Sequence, residues 1–353
     1  MFNANYYTHS SDKAALTALK AIPGFHQFTK AFMKIWHEPQ FRISNMSSCV
    51  RINEKQLPEY YNMLPPICEK LGIDVPELYL SLDVTPNAGT YGETKPFIII
   101  NSGLFETLPE ELIPTVLAHE CGHIACHHVL YSTMGRIVLG HADSALRAFV
   151  PYGGLASIPL EVAFFYWMRC SELSADRAAV LCDGTAEKMS EVCLRLAGYD
   201  KDIRSLASKE EFMEQAREYR NMIRDSKWNK TLEFLSLMGK AHPLTTVRAL
   251  ECEEWAKTDQ YQKILNGTYQ PETGDEDSSY DPTVTFEKDS PAEASGKAKR
   301  GLSLFKRREK EELDVTLGQL SVPDEIRQYK ALLDEGLLTE EEFAEKKRQL
   351  LNI

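Results

Sequence analysis

The distribution of apolar and polar residues along the chain predicts a mostly helical protein with a small β-sheet. Residues 107–131 are apolar on nearly every side at helical spacing, which is typical of a helix in the middle of a core. A second buried helix is expected from about residue 158, where another apolar run begins. The segment PFIIIN at 96–101, rich in β-branched residues, predicts a strand. Together these patterns indicate an α+β fold.

Composition divides the chain into four segments. We expect a helical N-terminal segment at 1–48, the main domain at 49–268, a linker at 269–314 and a helical hairpin at 315–353. Residues 272–293 carry eight acidic side chains interspersed with Pro, Gly and Ser, and such a composition cannot bury enough apolar surface to fold. The linker is therefore predicted to be disordered, first acidic and then basic.

The basic part of the linker, 297–310, has two interpretations. It is either a patch for an acidic surface, such as anionic lipid or nucleic acid, or a solvated tether that pairs loosely with the acidic run before it, and the tether is favoured. The hairpin that follows contains a capping box at Thr339 and Glu342. Two such short helices are too small to be stable alone, so we expect 315–353 to bind a partner or further copies of the chain.

The overall charge and the cysteines restrict the class of protein. A net charge of −12 argues against a nucleic-acid partner, because a protein that binds phosphates needs surplus Lys and Arg. No signal peptide is predicted, and eight cysteines without a CxxC pair are expected to be free thiols in a reducing cytoplasm. Residues 148–168 are long enough to cross a bilayer, but Glu161 and several Pro and Gly residues make membrane association the less favoured alternative.

The strongest chemical motif is HECGH, at 119–123, in the middle of the predicted core helix. The spacing of four residues places His119 and His123 on one helix face, where their imidazole nitrogens can converge on a single Zn²⁺. Glu120 lies one residue round the helix, where its carboxylate can reach a zinc-bound water as a general base. Two His and a Glu would be costly on an apolar helix without a function, so a chance occurrence of the motif is disfavoured.

The start of this helix has its own pattern. Thr107 and Glu110 form a capping box that predicts the first turn. Pro114 follows shortly afterwards and is expected to kink the helix, because it lacks an N–H and crowds the preceding turn.

The third zinc ligand has to come from further along the chain. The extension HExxHxxGxxH is absent, since Val129 occupies the position of its last His. Glu172 is the candidate ligand, on a second helical stretch between apolar runs. Asp176 lies one turn later on the same helix face, where it is expected to accept a hydrogen bond from a zinc-bound His.

Three motifs in order, HECGH, ELSAD at 172–176 and AHPLTTVRALE at 241–251, resemble the HtpX and CAAX-prenyl-protease (Ste-type) family of zinc metallopeptidases. The resemblance covers residues 50–265, includes the segment PNAGTYGETKPFIIINSGLFETLPEEL, and is closest to the soluble bacterial branch. It implies a zincin-type fold of the gluzincin kind, one Zn²⁺ per chain and a polypeptide substrate.

The resemblance implies roles residue by residue. Glu120 would act first as the base and then as the acid, and His242 would stabilise the oxyanion of the tetrahedral intermediate. Arg248 would orient the acidic groups, among them Asp176. The implied zinc ligands are His119, His123 and Glu172.

The resemblance also implies a substrate-binding strand. The strand at 97–101, with the turn before it, would offer an edge that pairs with an extended polypeptide backbone. A buried strand without a ligand is the alternative, and the sequence leaves both open. The implied substrate-binding residues are Asn87, Ala88, Phe97, Ile98 and Ile99.

The C-terminal segment LDEGLLTEEEFAEKKRQLL resembles the SHOCT module, which implies oligomerisation or docking to a partner. The resulting hypothesis is a zinc metalloendopeptidase that hydrolyses unfolded or extended polypeptides, in protein quality control. The alternative from another class is a catalytically idle zincin-fold scaffold that acts through its C-terminal hairpin. The intact set of His and Glu residues favours the enzyme.

Overall fold

In a computed structural model, the described residues are 1–22, 25–26, 29, 32, 38–92, 94–140, 158–198, 207–226 and 244–270. They all belong to one compact unit. Several sequence-based predictions concern residues outside this set, namely the linker beyond 270, the hairpin at 315–353, His242, and residues 148–157 of the apolar run.

The described residues are mostly helical, as predicted, and a short 3₁₀ turn at Glu110–Leu112 precedes the central helix. The helices, in chain order, are α1 (Ala4–Tyr7), α2 (Ser10–Lys20), α3 (Glu38–Ser48), α4 (Pro58–Tyr61), α5 (Leu64–Leu71), α6 (Ser102–Thr107), α7 (Ile113–Ala125), α8 (Val129–Gly140), α9 (Ile158–Asp183), α10 (Glu187–Leu196), α11 (Lys209–Asp225), α12 (Thr245–Ala256) and α13 (Asp259–Leu265).

A small mixed sheet accompanies the helices and confirms the α+β class. Its strands are β1 (Val50–Ile52), β2 (Glu77–Ser81), β3 (Ala88–Tyr91) and β4 (Phe97–Asn101). In space they are ordered β1-β2-β4-β3, with β2 parallel to β4 and the two outer strands antiparallel to their neighbours. The strand expected from PFIIIN is therefore present as β4.

The position of β4 in the sheet corrects one prediction. Ile99 is paired with Tyr79 of β2 on one side and with Gly89 of β3 on the other. Because both sides of β4 are already hydrogen-bonded, Phe97, Ile98 and Ile99 do not offer an edge to a substrate backbone. Among the described residues the edge of the sheet next to β4 is formed by β3 instead. The sequence predicted the strand but carried no information on the order of the strands.

Helix α7 lies in the core, as its apolar pattern predicted. All of its residues except Pro114 and Ile124 are buried. It packs against the long helix α9, and the two backbones lie close together at Gly122. A Cβ atom at Gly122 would lie 2.7 Å from the Cβ of Ala178 and 3.1 Å from the Cα of Ala175. The absence of a side chain at this position therefore allows the two helices to approach.

The start of α7 differs from the predicted one. Thr107 is the last residue of α6, and its Oγ1 donates a hydrogen bond to the carbonyl of Gly103 at 3.0 Å rather than capping α7. Leu108, which precedes a proline, is extended at φ −105° and ψ 140°, because the proline ring disfavours a helical conformation at the residue before it. Pro114 lies in the first turn of α7, where a missing N–H costs no hydrogen bond.

The N-terminal helix α2 packs against α9 and contributes to a second apolar cluster. Leu16 and Leu19 of α2 are fully buried there together with Phe164 and Trp167 of α9. None of the helices in the described part of the chain combines the length and the apolar character that crossing a bilayer requires. All eight cysteines are free, as expected, and all except Cys49 are buried.

Substitution Gly122→Ala tests the close contact between α7 and α9. Helix propensity alone would make this change stabilising by about 1 kcal/mol, whereas the overlap with Ala178 predicts a net loss of about 1–3 kcal/mol in the free energy of unfolding. Denaturant unfolding measures the sign. The double variant Gly122→Ala/Ala178→Gly removes part of the overlap, so the two changes should couple favourably. A stabilised single variant would contradict the proposed packing.

Candidate metal centre

Three buried side chains from two helices converge on one point. His119 and His123 lie on the inner face of α7, and Glu172 lies opposite them on α9. The two Nε2 atoms of the histidines are 3.3 Å apart. Glu172 Oε2 lies 3.5 Å from Nε2 of His119, and Oε1 lies 3.4 Å from Nε2 of His123. Among the described residues these three form a group that could hold a metal ion.

The donor set fits a zinc ion. With zinc–ligand bonds of about 2.0–2.1 Å, two donors of a tetrahedral site are about 3.3 Å apart, close to the separations of 3.3–3.5 Å found between the side chains of His119, His123 and Glu172. Two imidazoles and one carboxylate are also the donors found in catalytic zinc sites of the His₂Glu type. The residues present are therefore suited to this metal.

The electrostatics of the group also favour a cation. Burial alone would lower the pKa of His119, but its contacts with Asp176 and Glu172 outweigh burial and raise that pKa to about 10. Burial lowers the pKa of the neighbouring His123 to about 4, against the opposing effect of Glu172. The carboxylates thus favour one positive charge at the point where the three donors meet, and a metal cation would supply it.

Asp176 and Arg248 lie directly behind the donors. Asp176 Oδ1 is 2.8 Å from Nδ1 of His119, which orients the ring so that Nε2 faces the other donors. Arg248 of α12 donates to both oxygens of Asp176, at 2.7 and 2.6 Å, and its Nη1 lies 3.1 Å from Oε2 of Glu172. Burial would raise the pKa of Asp176, but the guanidinium holds it below its usual value.

His123 has a second histidine behind it. Its Nδ1 lies 3.0 Å from Nδ1 of His128, which is fully buried. The neighbouring His127, by contrast, is exposed.

Glu120 is held by a residue that the sequence analysis missed. Thr90 on β3 donates a hydrogen bond from Oγ1 to Oε2 of Glu120 at 2.6 Å, and the same hydroxyl lies 3.1 Å from the carbonyl oxygen of Glu120. Both residues are buried. The alternation of side chains along a strand places Thr90 on the same face as Ala88, but nothing in the sequence relates that face to Glu120.

The predicted substrate-binding residues lie on two neighbouring strands of the sheet and in the turn before one of them. Asn87 directly precedes β3, and its carbonyl accepts a hydrogen bond from the backbone N–H of Asn101 at 2.9 Å. Ala88 is the first residue of β3 and is buried. Phe97 and Ile98 are buried in β4, while Ile99 is half-buried. Of the predicted candidates, therefore, only Ala88 belongs to the strand at the edge.

Comparison with known proteins supports the resemblance to metallopeptidases that the motifs indicated. Residues 63–256 match the model of peptidase family M48, and residues 324–351 match that of the short C-terminal domain, SHOCT. The chain is 32% identical over 267 residues to the plastoglobule-localized metallopeptidase 48, chloroplastic, of Arabidopsis thaliana, covering 74% of this chain and 76% of that protein. No solved structure matches.

Bacterial relatives agree with the resemblance found in the motifs. The chain is 22% identical over 250 residues to a protease HtpX homolog of Ralstonia pickettii, covering 65% of this chain and 85% of the relative. A protease HtpX homolog of Ralstonia nicotianae is 26% identical over 125 residues, or 35% of this chain and 43% of the relative. The resemblance to HtpX proteases and the C-terminal SHOCT module are thereby confirmed, and the chain belongs to peptidase family M48.

Proposed function

We propose that the protein is a zinc-dependent metalloendopeptidase that hydrolyses peptide bonds of unfolded or extended polypeptides. The observation that carries the proposal is the convergence of His119, His123 and Glu172. Glu120 lies on the same helix as the two histidines, and Thr90 holds its carboxylate by a hydrogen bond. Membership in a peptidase family supports hydrolysis of peptide bonds, and the donor set supports zinc as the metal.

The residues divide the chemistry among them. Zinc, when bound by His119, His123 and Glu172, would polarise the scissile carbonyl and lower the pKa of a water molecule. Glu120 accepts the proton of the attacking water and then delivers it to the leaving amine. Thr90 orients the Glu120 carboxylate through a short hydrogen bond, which limits the rotamers available to the base.

His242 is proposed as the donor that stabilises the oxyanion of the tetrahedral intermediate. The support is the sequence motif in which it occurs, six residues before Arg248, and Arg248 contacts both Glu172 and Asp176. Arg248 and Asp176 are proposed to hold Glu172 and His119 in place, because Arg248 Nη1 lies 3.1 Å from Oε2 of Glu172 and Asp176 Oδ1 lies 2.8 Å from Nδ1 of His119.

The outer edge of β3 is proposed as the binding site for the substrate backbone. This edge takes the role that the sequence suggested for β4. Two observations support it: among the described residues β3 lies at the edge of the sheet, and its Thr90 contacts Glu120. An extended polypeptide that adds to a sheet edge is recognised through its backbone rather than its side chains. Unfolded chains present such backbone, which favours a function in protein quality control.

A catalytically idle scaffold that acts through the C-terminal hairpin remains the second candidate. The complete donor set and the orientation of Glu120 favour the enzyme. The free cysteines favour a reducing compartment, and we propose the cytoplasm, with a membrane association through 148–168 as the alternative.

Substitution Glu120→Gln separates metal binding from catalysis. The amide keeps the shape of the side chain but cannot act as a base, so we expect stoichiometric zinc in both proteins and a loss of peptidase activity of about 10²–10⁴-fold in the variant. Metal analysis and hydrolysis of an unfolded protein substrate measure the two quantities. Removal of zinc with a chelator should abolish the activity of the wild type. Equal activity of variant and wild type would contradict the mechanism, as would a wild type without zinc.

Substitution Thr90→Val tests how Glu120 is oriented. Valine has nearly the same shape but no hydroxyl, so kcat should fall by about tenfold, the equivalent of about 1.4 kcal/mol for one lost hydrogen bond to a charged group. KM and the zinc content should change little. Thr90→Ser keeps the hydroxyl and is expected to retain most of kcat. Normal kcat in Thr90→Val would rule out that the Thr90 hydroxyl orients Glu120. So would an equal loss of kcat in Thr90→Ser and Thr90→Val.

Deletion of residues 315–353 tests the predicted role of the hairpin in self-association. We expect a smaller oligomer for the truncated protein than for the full chain in analytical ultracentrifugation, with peptidase activity per chain preserved toward small peptides. An unchanged oligomer size would argue against self-assembly through the SHOCT module.

A further inference from the structure

A chain of buried hydrogen bonds leads from the metal centre to the N-terminal helix. His123 Nδ1 lies 3.0 Å from Nδ1 of His128, and Nε2 of His128 lies 2.9 Å from Oδ2 of Asp12 on α2. His128 and Asp12 are both 0% exposed. Asp12 lies well before the HECGH motif in sequence and outside the segment 63–256 that matches the peptidase family.

The carboxylate of Asp12 is anchored on α9 as well. Trp167 donates from Nε1 to Oδ1 at 2.9 Å, and Ser174 donates from Oγ to Oδ2 at 2.6 Å. Burial by itself would raise the pKa of Asp12, but His128 and these hydrogen bonds lower it, so the group is an ionised acceptor. Burying a carboxylate costs its hydration, and the hydrogen-bond donors around Asp12 compensate for that loss.

Only one arrangement of protons satisfies this chain when His123 faces a metal. The Nε2 atom of His123 lies among the donors of the metal centre and carries no proton when it binds a cation. The proton of the neutral ring is then on Nδ1 and is donated to Nδ1 of His128. His128 therefore carries its own proton on Nε2 and donates it to Asp12. Each donor in the sequence faces an acceptor.

We propose that Asp12 is a positioning residue for the metal centre. Acting through His128, it holds His123 in the tautomer and the orientation that bind the metal. This inference rests on the proposed function, because it assigns a task to Asp12 only if His123 binds a metal. It extends the functional unit to the N-terminal helix α2, which thereby contributes to metal affinity.

Substitution Asp12→Asn reverses one donor in the chain at nearly constant volume. If the amide NH₂ points to His128, it donates where the wild type accepts, and the two Nδ1–H groups of His128 and His123 then oppose each other. If the amide is flipped, its NH₂ faces the Nε1–H of Trp167. Both orientations therefore leave a donor facing a donor in a buried site.

Zinc affinity of the full-length protein is the direct test, measured by competition with a chromophoric chelator. We expect affinity about 10–100-fold weaker for Asp12→Asn than for the wild type, as is typical when a partner of a metal-binding His is lost. Asp183→Asn is the matched control, because Asp183 accepts from Thr115 at 2.7 Å and so links the same helices α7 and α9 away from the donors. This control should lower thermal stability and leave zinc affinity near the wild-type value.

The wild type provides a second test that does not depend on the folding of a variant. Nitrogen-15 NMR of the histidine-labelled, zinc-loaded protein should show His128 as the neutral Nε2–H tautomer, with its resonance assigned from its loss in His128→Gln. An Nδ1–H tautomer at His128 would overturn the proposal, and so would equal zinc affinity in Asp12→Asn and the wild type. A wild type that binds no zinc would instead overturn the proposed function and this inference with it.

Discussion

The contact between α7 and α9 at Gly122 is the constraint on which the candidate metal centre depends. The two histidines come from one helix and Glu172 from the other, so the distance between the helix backbones sets the separation of the donors. The ligand atoms of a metal site have to be held to within about 0.5 Å of their binding positions. Gly122 achieves this because its backbone rests directly on Ala175 and Ala178, without a side chain whose rotamer could vary.

This contact brings together charges that would be unfavourable in a core on their own. The carboxylates of Glu120, Glu172 and Asp176 are buried, and the guanidinium of Arg248 pairs with the latter two. Arg248 binds Asp176 with two hydrogen bonds and reaches Glu172 with a third nitrogen, which offsets much of the desolvation of both. The negative charge of Asp176 and Glu172 outweighs burial and accounts for the raised pKa of His119. Fold stability and affinity for a cation therefore depend on the same buried groups.

The parts of the candidate site that could be predicted from sequence are those that helical periodicity determines. The spacing of His119 and His123, or of Glu172 and Asp176, places both members of each pair on one helix face whatever the rest of the fold. The order of the strands and the contact of Thr90 with the Glu120 carboxylate depend on tertiary packing, and no local pattern encodes them. Local patterns can also be overruled, as when the proline after Leu108 ends α6 where a capping box predicted the start of α7.

The same reasoning explains why the N-terminal segment looked like a separate element at 1–48. Its helices are amphipathic and lie outside the matched family segment, so sequence alone supplies no reason to join them to the site. In the structure α2 shares an apolar cluster with α9, and within that apolar surface it buries one carboxylate, Asp12. An apolar residue at this position would pack without the cost of desolvating a charge. The presence of Asp12 is therefore explained more directly by what it orients, through His128, than by any contribution to stability.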